Sequence, residues 1–157
     1  MKVIFKILVV ASCLFFSASL WAQKYSEKNV KEEVDKIAST LPARIDSATI
    51  MTGLTLENNT LQYSYRIDMD EIFRIGGSEV GLSSSEMRRR LSDQFGSIDK
   101  FIDFWVDNRV IGLYTKKNCT TPSIRRLIDN GYSLLHTMYE PSGSFLFEFR
   151  VTRSDCV

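Results

Sequence analysis

Between Cys119 and Cys156 the chain reads CTTPSIRRLIDNGYSLLHTMYEPSGSFLFEFRVTRSDC. Thr121 fits a helix N-cap, Pro122 the first helical position and Gly131 the position just past a short helix. Two strand-like runs follow, near Tyr132–Tyr139 and Phe145–Thr152, joined by the turn residues Pro141-Ser142-Gly143-Ser144. In the second run Phe145, Phe147, Phe149 and Val151 face one way, and Leu146, Glu148, Arg150 and Thr152 the other. A helix and a hairpin, with a cysteine at each end, is the expected closing unit of the fold.

Whether those cysteines pair depends on the compartment. Met1 to Lys6 carries two lysines and no acid, Ile7 to Leu20 is mostly apolar, and Trp21-Ala22-Gln23 reads as a cleavage point after Ala22. Those are the parts of a secretory signal peptide, and the run is short for a membrane span. Residues 1–22 are therefore expected to be a signal peptide, and 23–157 a single exported domain, periplasmic or secreted. Val10-Ala11-Ser12-Cys13 also has the form of a lipobox, which would anchor the protein to a membrane through a lipidated Cys13. The apolar run continues past it through Leu14-Phe15-Phe16, which favours an ordinary signal.

Cleavage after Ala22 removes two of the 20 basic residues and none of the 19 acidic ones, leaving a net charge of −1. That balance gives no basis for a nucleic-acid partner. Three cysteines become two, Cys119 and Cys156. In an oxidising compartment the simplest state for two cysteines is a disulfide. A thiolate at Cys119, favoured by the following helix N-terminus, is the alternative.

Upstream, Val30, Val34, Ile37 and Leu41 recur at helical spacing, and Leu41-Pro42 ends that helix. Arg44–Leu56 is expected to be a strand with Ala48, Ile50, Leu54 and Leu56 on one face. Asn58-Asn59 is a two-residue turn, and Thr60–Met69 alternates cleanly. Gly76–Ser85 reads as a loop. Ser84 or Ser85 caps a helix carrying Met87, Leu91 and Phe95. Gly96 breaks it, and Ser97 opens a third, unusually apolar helix to about Lys116. The sum is an α+β fold: a four-stranded antiparallel sheet of two hairpins, with helices packed on one face and one disulfide.

Few residues offer catalytic chemistry. His136, the only histidine, would sit on a strand in a structural or solvent-facing role, and one histidine builds no two-histidine metal site. The carboxylates Asp68, Asp70 and Glu71 fit no calcium loop and read as a solvated strand end. Arg88-Arg89-Arg90 spreads around a helix and reads as a solvated face. Asn58-Asn59-Thr60 and Asn118-Cys119-Thr120 match glycosylation sequons. No cofactor or metal is expected.

The pattern Cys119-x-x-Pro122-x-Ile124-Arg125-x-Leu127-Ile128-x-x-Gly131-Tyr132, followed by a hairpin and Cys156, resembles the beta-type (AspS-like) pilotins of bacterial type II secretion. The Leu41-Pro42 junction ahead of a hairpin is similar too. The resemblance implies an α/β domain with one disulfide that binds the C-terminal segment of a secretin and helps it reach the outer membrane. The expected function is a small, periplasmic, non-enzymatic binding domain. Its anchors would be Phe101, Phe104, Trp105 and Tyr114 on the apolar helix. An inhibitor or immunity protein, presenting Gly76–Ser85 to a secreted enzyme, is the alternative. A hydrolase, needing His136 beside a carboxylate or serine in a cleft, is the third reading.

Overall fold

The strand with the cleanest alternation in the sequence lies at the centre of the sheet. In a computed structural model, which describes residues 26–156, the elements follow in order. They are α1 (Glu27–Ala38), β1 (Ala43–Arg44), β2 (Thr49–Glu57), β3 (Thr60–Ile67), α2 (Met69–Ser78), α3 (Ser84–Phe95), α4 (Ile98–Trp105), a π-helical turn (Val106–Val110), α5 (Ile111–Thr120), α6 (Pro122–Asp129), β4 (Ser133–Tyr139), β5 (Phe145–Val151) and a 3₁₀ turn (Arg153–Asp155). The expected signal peptide and Cys13 lie outside the described residues.

Leu61, Tyr63, Tyr65 and Ile67 of β3 are buried, as are Leu134, His136 and Met138 of β4 and Phe147, Phe149 and Val151 of β5. The residues between them are half-buried or exposed. One face of the sheet therefore carries the core, and α1, α5 and α6 contribute Val30, Val34, Tyr114, Ile124, Leu127 and Ile128 to the same cluster.

Two features of the sheet differ from expectation. Among the described residues it has five strands, in the order β1-β2-β3-β4-β5. The extra one is β1, which pairs Ala43 with Met51 and Arg44 with Ile50. Arg44–Leu56 is thus two strands; Asp46 Oδ1 accepts from the Ala48 amide at 2.9 Å, closing the turn that separates them. Second, the sheet is mixed: each hairpin is antiparallel, but β3 and β4 run parallel. The helices α2 to α6 carry the chain back to the starting end of β3, so β4 sets out in the same direction.

A bulge between Met51 and Gly53 explains a third difference. Met51 pairs with Tyr65, and Leu54 with Tyr63. Thr52 is the extra residue, so strand parity changes there. Ile50 turns to the outer face, opposite Arg66, and Met51 takes the core position expected of it. The Asn58-Asn59 turn is as expected, with φ of 47° and 59°.

The expected loop Gly76–Ser85 is shorter in the structure. Gly76 and Gly77 are buried in α2, and only residues 79–83 connect it to α3. Gly77 is required there: a Cβ at this position would lie 2.6 Å from the Leu82 carbonyl oxygen, beside the bond that Leu82 N donates to the Gly77 carbonyl. The α3 cap is Ser83, one residue before the expected serines. Its Oγ accepts from Glu86 N, and the Glu86 carboxylate accepts from Ser83 N at 2.8 Å.

Cys119, in the last turn of α5, is joined to Cys156 by a disulfide, with Cα atoms 5.2 Å apart. Arg125 Nη1 donates to the Cys156 carbonyl at 2.6 Å, fastening the same corner to α6. The bond spans 37 residues of sequence, a closure worth about 4 kcal/mol in the chain-entropy model. Replacing both cysteines by serine is expected to lower unfolding free energy by about 3–4 kcal/mol, measured by urea denaturation.

Candidate functional site

The four aromatic residues expected to bind a partner separate into two environments. Trp105 and Tyr114 are 6% and 7% exposed and belong to the core. Phe101 is half-buried, and Phe104 is 50% exposed. Adjacent residues on a helix point about 100° apart, so Trp105 facing the core leaves Phe104 turned outward. The π turn that follows adds a residue to the helical repeat, and Trp105, Val106, Val110 and Tyr114 all face the core. Asn108 Nδ2, on this turn, donates to the Phe104 carbonyl at 2.8 Å.

Phe101 and Phe104 do not stand alone. Phe95, at the end of α3, packs against both, with centroids 5.4 Å from Phe101 and 5.1 Å from Phe104. Phe101 continues to the buried Phe73 at 6.2 Å. Gly96, in the left-handed conformation with φ of 86°, and the Ser97 cap fold α4 back against α3 and so place Phe95 beside Phe104. The result is an aromatic ridge running from the core to the surface. Phe95 was legible only as part of the α3 stripe, because its contact with Phe104 depends on how the two helices meet.

Tyr114 belongs to a second constellation, centred on His136. The imidazole is 1% exposed. It lies between the Tyr63 ring, 5.0 Å away and 13° from parallel, and the Phe149 ring, 4.9 Å away and 16° from parallel. Tyr114 meets it edge-on at 5.2 Å. Asn118, 2% exposed, places Nδ2 2.9 Å from His136 Nε2, and Tyr65 Oη is 3.4 Å from Nδ1. An amide nitrogen only donates, so Nε2 accepts and the ring proton sits on Nδ1, directed at Tyr65. Burial pushes the His136 pKa down to about 3. The neutral ring joins strand β4 to helix α5. With both nitrogens engaged and the ring enclosed, it lacks the cleft that the hydrolase reading requires. Asn118 lies one helical turn beyond Tyr114, a spacing that points it inward. Its burial also takes the acceptor asparagine of the Asn118-Cys119-Thr120 sequon out of solvent.

The carboxylates after β3 have structural partners. Asp68 caps α2 by accepting from Glu71 N at 3.1 Å. Glu71 takes both Arg74 Nε and Nη2 at 2.6 Å, and Asp70 pairs with Arg88 at 2.8 Å. The hydrogen bond from Arg74 holds the Glu71 carboxyl below its usual range. Arg88 also lies over the Phe73 ring, 5.1 Å from its centroid. Among the described residues no group of three or more histidine, cysteine or acidic side chains is placed to hold a metal ion.

These features define a disulfide-closed α+β domain with a mixed sheet and an exposed aromatic ridge. Its fold is that of type II secretion pilotins. The pilotin EpsS from the Vibrio vulnificus type 2 secretion system superposes with a TM-score of 0.54, at 11% identity, over 83% of this chain and 91% of that one. The pilotin AspS from Vibrio cholerae superposes with a TM-score of 0.51, at 14% identity, over 89% of this chain and 100% of that one. No protein-family model matches the chain, and no curated protein matches it in sequence.

The two environments of the aromatic residues predict different mutational outcomes. Trp105→Ala is expected to lower unfolding free energy by about 3–5 kcal/mol, and Phe104→Ala by less than about 1 kcal/mol. Parallel urea titrations would measure both.

His136 makes stability depend on pH. The unfolded chain, with histidine near 6.5, takes up a proton that the folded chain refuses. The contribution is complete above pH 6.5 and is lost as pH falls from there towards 3. The expected slope approaches about 1.4 kcal/mol per pH unit. Glu71, Glu86 and Asp155, whose carboxyls are held below their ordinary values, add their own losses only at lower pH. Urea midpoints between pH 7 and pH 5 therefore isolate the histidine, and His136→Gln is expected to flatten the dependence in that interval.

Proposed function

We propose that the protein is a pilotin-like, periplasmic, non-enzymatic domain that acts through protein–protein contacts, with the C-terminal segment of a secretin as partner. The observation that carries this reading is the ridge of Phe95, Phe101 and Phe104, which leads an apolar path from the core into solvent. A large aromatic side chain held half out of water by its neighbours is the kind of anchor on which interface energy concentrates. The fold shared with EpsS and AspS over nearly the full length of those chains supports the reading.

Within it, Phe104 is the contact residue and Phe95 and Phe101 form its seat. Trp105 and Tyr114, expected as further anchors, support the ridge by burying their side of α4 and α5 in the core. The disulfide is consistent with an oxidising compartment, where a protein that escorts an outer-membrane component would work.

The test is binding of the purified protein to a peptide covering the C-terminal segment of the source organism's own secretin, by calorimetry. Phe104→Ala is expected to weaken binding by roughly 30-fold, about 2 kcal/mol. Lys28→Ala, on the exposed face of α1 and away from the ridge, is expected to leave it unchanged. No binding by the intact protein, or undiminished binding by the Phe104 variant, would remove the secretin segment or the ridge from the account, respectively.

A further inference from the structure

The two edges of the sheet are built differently. At one, β1 is only two residues long, a short strand of the kind that discourages further pairing. At the other, β5 extends over seven residues, and among the described residues the only strand hydrogen-bonded to it is β4. No described strand pairs with its outward backbone groups. Phe145, at its start, is 62% exposed, the most exposed of the large apolar side chains described.

The order of side chains along β5 points to what pairs with it. The run Phe147-Glu148-Phe149-Arg150-Val151 is complementary to its own reverse. An antiparallel copy related by a two-fold axis at Phe149 places Glu148 opposite the partner's Arg150, and Arg150 opposite the partner's Glu148. Both residues are exposed on the outer face, and neither forms a salt bridge among the described residues. Glu148 accepts from Thr137, while Arg150 donates to Thr60 and Ser133. These neutral partners orient the two side chains and leave their charges uncompensated. On the inner face the same register sets Phe149 against its own copy and Phe147 against the partner's Val151. At the strand end it brings Phe145 to the partner's Arg153. A strand carrying only one sign of charge would repel its copy; this one attracts it in one register.

We propose that β5 is a self-recognition edge, through which two copies of the chain join in antiparallel, two-fold register into one continuous sheet. This surface is separate from the aromatic ridge, and the proposal does not rest on the pilotin-like reading.

Charge exchange tests it. Sedimentation of the purified protein is expected to show mass rising with concentration from one chain to two. Glu148→Arg places arginines opposite each other, and Arg150→Glu places carboxylates opposite each other. Each alone is expected to weaken association by about tenfold or more. An equimolar mixture of the two variants restores both attractive pairs and is expected to recover the dimer. If either variant fails to fold, amide exchange in the wild-type protein gives the independent reading: outward-facing β5 amides become more protected as concentration rises. A wild-type protein that remains one chain at every concentration overturns the proposal. So does a mixture no tighter than its separate components, or β5 amides whose protection does not change. A wild-type monomer that takes an unrelated extended peptide along β5 overturns it in favour of another partner.

Discussion

The hydrogen bond between Asn118 and His136 is the polar joint on which the two layers of the molecule depend. A buried imidazole and a buried amide would each be costly alone, because neither can recover the hydrogen bonds it makes with water. Opposite each other at 2.9 Å they satisfy one another, and Tyr65 takes the remaining imidazole nitrogen. Apolar packing alone would let α5 slide over the sheet at small cost. A directional bond in a dry interior admits one placement. That placement carries Cys119, the next residue, to the position where Cys156 can meet it, and orients the helix from which the π turn and α4 lead back to Phe104.

The sequence made the period-two pattern of β3 and β5 plain, because one face of each strand is buried and the other wet. The first half of β2 departs from its expected alternation for a local reason. Ile50 and Met51 are both apolar, and only the bulge at Thr52 decides which turns inward. The parallel pairing of β3 with β4 is not a property of either strand's sequence, since it follows from where α2 to α6 return the chain. The two-residue β1 was hidden because so short a strand has no pattern.

The candidate site shows the same division between local and tertiary information. The excess of apolar residues from Ile98 to Tyr114 was evident, and so was the impossibility of placing Phe104 and Trp105 on one stripe. Which of them faces out depends on the core that Trp105 joins. The ridge further depends on Phe95, brought alongside by a glycine turn that the sequence marked without giving its direction. His136 was recognisable as structural, whereas its cage is assembled from β3, β4, β5 and α5, elements far apart in sequence.

The disulfide has a topological effect distinct from its contribution to stability. Helix α6, the second hairpin and the 3₁₀ turn lie within one covalent ring closed at Cys119 and Cys156. A strand inside a ring cannot leave its own sheet and thread into another molecule as a free arm. Exchange of β5 alone between two chains is therefore closed off while the bond is intact. The hairpin therefore meets other molecules as a finished surface.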